Sequence, residues 1–245
     1  MFKKEKVLFK GKTNLANYQI VDMVYEGRKA RVLFSGDREA AFSGLPLDGE
    51  NALLFDYIQR LFEMTAHIRP KRLLMIGGGV YTLPMALLRA LPDIRIDVVE
   101  IDGELDQIAS RFFGFKPDER LRIFHMDGKQ FIEQTSQTYD MIIVDAFSRL
   151  HIPESLSGKD MALLSHKALS SKGIVALNII SAYNGRASEI IKEFENTYRA
   201  VYKNISVYPA DRRLSLWSSQ NYILIAEKGT SPRGHGLGYE SIEKR

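Results

Sequence analysis

Alternation is what most constrains the fold of this chain. From about residue 72 onward, short apolar runs of strand length take turns with segments whose apolar residues recur at helical spacing. "RLLMIGG", "IRIDVVEID", "LRIFHMDG", "YDMIIVDAF" and "GIVALNII" read as strands. Between them, "TLPMALLRALP", "GELDQIASRFFG", "KQFIEQT" and "GKDMALLSHKALSS" read as helices. A run such as "MIIV" is apolar at every position, which suits a strand buried on both faces. The rhythm predicts a parallel sheet covered by helices on both sides. A last helix at "GRASEIIKEFENTYRAVY" is followed by "NISVYP" and "NYILIAEK" with no helix between them. Two strands joined without a crossover pair antiparallel, so the sheet is expected to close on a hairpin.

Ahead of this region, residues 6 to about 43 carry strand-like pieces separated by Gly-Lys, Glu-Gly and Ser-Gly-Asp turn signals, which predicts a small antiparallel β unit. A helix follows within "LDGENALLFDYIQRLFEMTAHI" and stops before Pro70. The expected organisation is a β unit over 1–47, an α/β domain over 48–228 and a polar, mobile tail over 229–245. Seven strands with a terminal reversal are the pattern of the Rossmann-like class I S-adenosylmethionine-methyltransferase fold, not of the six-stranded dinucleotide fold.

Composition removes several kinds of chemistry. The 245 residues include no cysteine, which excludes disulfides, thiolate nucleophiles and Cys-based metal sites. The five histidines show no metal-ligand spacing, so no metal is expected. The net charge of +4 comes from scattered Lys and Arg, with "KKEK", "RPKR" and "RR" the basic clusters, and no nucleic acid is expected as a partner. No run of roughly 18 residues stays apolar, which argues against a membrane span. The apolar pieces of "MFKKEKVLFKGK" are too short for a signal-peptide core, so the expected location is cytoplasmic.

Ligands of open α/β sheets sit outside the carboxyl ends of the strands. The first such end is "LLMIGGGVYTLP", where Gly77, Gly78 and Gly79 let backbone approach a ligand at a helix start. Glu100 ends the next strand, where an acid can accept from both ribose hydroxyls. Thr82 stands where the dinucleotide fingerprint has its third glycine, which counts against a pyrophosphate cofactor. Asp127 and Gly128 end the third strand, suiting an exocyclic adenine amine, and Asp145 ends the fourth. Each acid could instead be a helix cap or a solvated loop residue, and the glycines could serve a tight turn alone. Together they predict an adenosine-and-sulfonium site.

"LLMIGGG", "VVEIDGEL", "RIFHMDGKQFI" and "YDMIIVDAFS" followed by "IPESL" resemble the spermidine synthase family of polyamine aminopropyltransferases, over about residues 16–227. The resemblance implies a donor of the S-adenosylmethionine type, decarboxylated where an aminopropyl group is transferred. By the same likeness Gln19, in "NYQIV", joins Glu100, Asp127 and Asp145 in holding it. It also implies a small-molecule amine acceptor and, with the exposed edge of the N-terminal strands, a homodimer.

The departures from that pattern are specific. Val80 and Tyr81 follow the glycines where the family has an aspartate, Ser148 replaces a second aspartate, and Leu54, Phe55 and Asp56 stand in place of a Tyr-His-Glu run. Losing acids predicts an altered acceptor, and Val80 removes a like charge that would disfavour a donor retaining its carboxylate. The favoured expectation is therefore methyl transfer from S-adenosylmethionine to a small molecule, with Asp145, Ser148 and Tyr81 as catalytic candidates and His151 facing the acceptor. The alternatives are an aminopropyltransferase with an unusual acceptor site, a catalytically silent binding module and, more distantly, a dehydrogenase.

Overall fold

The structure, a computed structural model, describes residues 5–36, 38, 40–49, 53–147 and 152–229. Two sheets organise it. The first is a meander of β1 (Lys6–Lys12), β2 (Asn17–Tyr25), β3 (Arg28–Ser35) and β4 (Ala40–Pro46), in sequence order and antiparallel throughout. The β2–β3 hairpin turns through Glu26 and Gly27, both at positive φ, the geometry that matches strand twist across a two-residue loop. The expected tail falls on residues 230–245, outside the described residues, apart from Gly229.

The second sheet has seven strands. They are β5 (Arg72–Ile76), β6 (Arg95–Val99), β7 (Leu121–Phe124), β8 (Tyr139–Val144), β9 (Leu169–Ser181), β10 (Asn204–Pro209) and β11 (Gln220–Glu227). Their spatial order is β10-β11-β9-β8-β5-β6-β7, with β5 to β9 parallel and β11 antiparallel to both neighbours. The terminal hairpin expected from the sequence is present. Chain order runs outward from β5 through β6 and β7, then restarts on its other side at β8, so a crevice opens above the β5 tip.

Among the described residues, seven α-helices flank this sheet: α1 (Asp56–Ile68), α2 (Thr82–Ala90), α3 (Leu105–Phe112), α4 (Gly128–Gln134), α5 (Glu154–Ser157), α6 (Lys159–Ala168) and α7 (Glu189–Arg199). Alternate strand residues feed two cores. Leu73, Met75, Met141, Ile143 and Ala176 pack with α1, α2, α3 and the N-terminal sheet. Leu74, Ile76, Ile142, Val144 and Leu177 pack with α4 to α7. The end of α6 differs from expectation. The sequence reads as helix through Ser171, but α6 ends at Ala168 and Leu169, buried against the sheet, already pairs with Tyr139. A register shift then carries the chain to the Met141–Ile174 pair, so β9 is longer than the apolar run suggests.

The N-terminal sheet is clamped to the β6–α3 turn by one buried carboxylate. Asp102 Oδ2 accepts from the Thr13 hydroxyl at 2.6 Å and the Tyr18 hydroxyl at 3.1 Å. Asn14 N–H donates to Glu104 at 2.8 Å, and Arg31 spans from Asp22 to the Phe112 carbonyl. Burying an acid is costly unless donors surround it, and these donors come from the other sheet.

Gly77 is the tightest point of the second sheet. It has φ +90°, and a Cβ there would lie 2.2 Å from the Asp145 carbonyl oxygen. Replacing Gly77 by Ala should therefore cost about 3 kcal/mol or more, from positive φ combined with overpacking. Gly49, with open space around it, is the control, and Gly49→Ala should move the urea midpoint little. Equal midpoints for the two variants would contradict the packing at the β5 tip.

Candidate functional site

Four strand tips bring the expected acids to one side of the sheet. Gly77 N–H donates to the Val99 carbonyl and Asp145 N–H to the Ile76 carbonyl, each at 2.8 Å, so the β5 tip is tied to β6 and β8 beyond the last strand residues. Gly78 and Gly79 then turn their N–H groups toward Glu100. Its Oε2 accepts from both, at 2.8 and 2.9 Å, while Oε1 accepts from Asp102 N–H at 3.0 Å. A side chain at Gly78 would strike the Tyr81 ring and Val98. Burial raises the Glu100 carboxyl above the ordinary range, and the three amide bonds act against that rise. Oε2 already accepts two bonds and Oε1 one, so one lone-pair direction, on Oε1, is left for a ligand hydroxyl.

Asp127 begins α4 as its N-cap. One oxygen accepts from Lys129 N–H at 2.9 Å and Gln130 N–H at 3.0 Å, so the capping alternative is realised while Oδ2 is left over. Gly128 is buried, and a Cβ there would strike Ile76 and Leu156. Beside Glu100, the Ile101 side chain is 58% exposed, an apolar surface at a strand tip where a flat base could lie.

Asp145 has the most unusual surroundings. Its Oδ1 accepts from Asn178 Nδ2 at 2.8 Å, and the Tyr57 hydroxyl of α1 interacts with it more loosely. Part of Asp145 reaches solvent, yet burial of the carboxyl pushes it up to about 7. Asn178 and Tyr57 pull it down, and the charge of Glu100 adds to the rise. Burial, then the Asp145 charge, also raises the Tyr57 phenol well above its usual value, so it keeps its proton.

Other sequence-derived candidates land elsewhere. Tyr81 adopts φ +62°, which turns its fully buried ring under the glycine loop against Phe115, and its hydroxyl donates to Asp106. It belongs to the packing beneath the crevice and does not line its open side. Val80 is fully buried in the first core as well. Gln19 Oε1 accepts from Arg38 at 3.4 Å, on the N-terminal sheet, and it is its neighbour Tyr18 that reaches the β6–α3 turn. Ser148 and His151 lie outside the described residues.

Sequence reasoning passed over Tyr57 and Asn178. Asn178 had a readable signal: it is a lone amide inside the apolar run "GIVALNII", and a buried amide must find a partner. Tyr57 lay within the quoted "LLFDY", but nothing in that run distinguishes a core tyrosine from one aimed at a strand tip. Among the described residues no three His, Asp or Glu side chains are grouped as metal ligands, and no helix is long and apolar enough to cross a membrane.

Known proteins resemble the chain in both sequence and fold. A polyamine aminopropyltransferase of Vibrio vulnificus is 32% identical over 157 residues, which are 62% of this chain and 51% of that protein. The match thus spans about half the length of that relative. A probable spermidine synthase from Corynebacterium glutamicum superposes with a TM-score of 0.78 at 18% identity, covering 94% of this chain and 83% of that one. A spermidine synthase in complex with the transition-state analogue AdoDATO superposes at 0.67, also at 18% identity, covering 96% and 79%. At such identities the superpositions speak for the fold, while the model of the spermine/spermidine synthase domain matches residues 58–223. With that domain running from α1 into the last strand, the chain belongs to the spermine/spermidine synthase family.

Proposed function

We propose that this protein transfers an aminopropyl group from decarboxylated S-adenosylmethionine to a small amine, with Asp145 as the base. The observation that carries the reading is a carboxyl whose titration is moved to about 7, at the tip of β8, between a buried amide and a protonated tyrosine. Methyl transfer needs little beyond alignment, whereas an ammonium acceptor must first lose a proton. A base poised near neutral pH is of use to the second reaction.

Methyl transfer was expected because family acids are lost and because Val80 removes a like charge that would disfavour a donor carboxylate. The Val80 side chain is fully buried in the core, so that replacement says little about what the crevice accepts. The family supports the aminopropyl alternative over it.

The residues present fit such a donor. Glu100 Oε1 would accept from a ribose hydroxyl, Asp127 Oδ2 from the adenine amine, and Ile101 would pack against the base. When bound, the donor supplies a propylamine carbon activated by a sulfonium leaving group. The chain's own work is to seat the acceptor nitrogen in line with that carbon and to remove its proton. Asp145 takes that proton on its carboxylate, while the Asn178 amide holds Oδ1 in place and the Tyr57 hydroxyl favours the ionised form. A neighbouring sulfonium charge lowers the acceptor's own pKa, which narrows the gap that the proton must cross.

Product identity tests the reading. With decarboxylated S-adenosylmethionine and putrescine, purified protein should release methylthioadenosine and spermidine. S-adenosylhomocysteine from the full donor, with no methylthioadenosine from the decarboxylated one, would overturn it. Asp145→Asn should lower turnover by about 10²–10⁴-fold while donor affinity measured by calorimetry is kept. Because the ionised carboxylate is the active form and its pKa is raised, kcat/KM should climb with pH through about 7 and flatten above it. A profile flat from about pH 5 to 8 would contradict the role given to Asp145.

A further inference from the structure

Asp145 is held by a chain of amides that extends across two strands and into a loop. Asn178 is fully buried on β9, among Val175, Ala176, Leu177 and Ile179, where an unpaired amide would be costly. Its Nδ2 donates to Asp145 Oδ1 at 2.8 Å, and its own Oδ1 accepts from Asn221 Nδ2 at 2.9 Å. Since an ionised carboxylate only accepts, the orientation of both amides is set: each must point its nitrogen toward Asp145.

Asn221 is the second residue of β11, and the loop before that strand is tied back to α1. Ala210 N–H donates to the Asn221 carbonyl at 2.9 Å, and Asp211 N–H to Gln220 Oε1 at 3.0 Å. Arg213 bonds both Asp211 and Asp56, and Asp56 precedes Tyr57. Asp145 is thus approached from both ends of one circuit, through Tyr57 on α1 and through Asn178 on β9.

Building on the aminopropyl-transfer reading, we infer that Asn178 and Asn221 are positioning residues that fix the Asp145 carboxylate, so that the oxygen not held by Asn178 is turned to the acceptor nitrogen. The seating of residues 210–219 is coupled to the base through the same contacts. An isolated carboxylate can rotate about its last bond, whereas one oxygen pinned by a buried amide leaves the other with a fixed direction. Among the described residues, the groups that interact with Asp145 are Tyr57 from α1, Glu100 from the β6 tip and Asn178 from β9; the neighbouring Gly77 carries no charge. Of these, Tyr57 and Asn178 favour the ionised form and Glu100 opposes it.

The test follows the Asp145 carboxyl directly by ¹³C NMR titration, with Asp145→Asn used to assign the signal. Asn178→Ala removes a bond that favours ionisation and should move the midpoint up by about one unit. Asn221→Ala leaves Asn178 in the core and is the variant to use if the first fails to fold; it should move the midpoint in the same direction by less. In the pH profile of kcat/KM the rising limb should shift alkaline with the titration, while KM for the donor stays as in the parent protein. Asn178→Gln, which keeps the donor group, should restore part of the shift. An Asp145 titration unchanged in Asn178→Ala, or in Asn221→Ala where the first does not fold, would overturn the inference. A parent protein that transfers no aminopropyl group refutes the functional reading, and the titration still decides the role of the asparagines.

Discussion

The close approach of Gly77 to the Asp145 backbone is the constraint on which the crevice depends. It holds the tips of β5 and β8 together at the point where strand order reverses. The same turn sends the next two amides into Glu100, so a buried acid from β6 closes the loop from the other side. Three neighbouring tips are thereby fixed relative to one another by backbone geometry, before any ligand contributes. Glu100 has two properties in this arrangement: it satisfies the amides of the glycine turn, and it keeps one acceptor direction on Oε1.

Charge is distributed unequally along this edge. Glu100, Asp102 and Asp106 follow one another from the β6 tip into α3, and each is stabilised differently. Glu100 uses backbone amides, Asp102 uses hydroxyls from the N-terminal sheet, and Asp106 uses Tyr81 and His125, the latter at 3.1 Å. Among the described residues Asp145 has fewer donors than Glu100, and burial pushes its carboxyl up to about 7. Acids well supplied with donors organise structure and binding, while the poorly supplied one is left with a titration useful to proton transfer. The N-terminal sheet enters this scheme through Asp102, which braces the segment that carries Glu100.

Much of the fold could be read from the sequence because apolar runs and helical periods are local signals. The alternation from "RLLMIGG" onward, the reversal at "NISVYP" and "NYILIAEK", and the β unit before them all correspond to observed elements. The acids at strand tips were legible for the same reason, since a strand's end marks where its next residue must stand. Orientation was not legible. Tyr81 was expected at an acceptor face, but its positive φ turns the ring under the loop, and no composition rule encodes that angle. Asp127 looks the same in sequence whether it caps a helix or faces a ligand, and it does the first with one oxygen. The partnership of Tyr57, Asn178 and Asn221 joins residues far apart in the chain, so only tertiary packing brings it together.

A crystal structure of the protein with methylthioadenosine tests the central claim most directly, namely that these strand tips form one nucleoside site beside a base. The account predicts a ribose hydroxyl on Glu100 Oε1, the base against Ile101, and the thioether turned toward Asp145. A nucleoside bound away from Glu100, or one seated there with its sulfur turned away from Asp145, would contradict it.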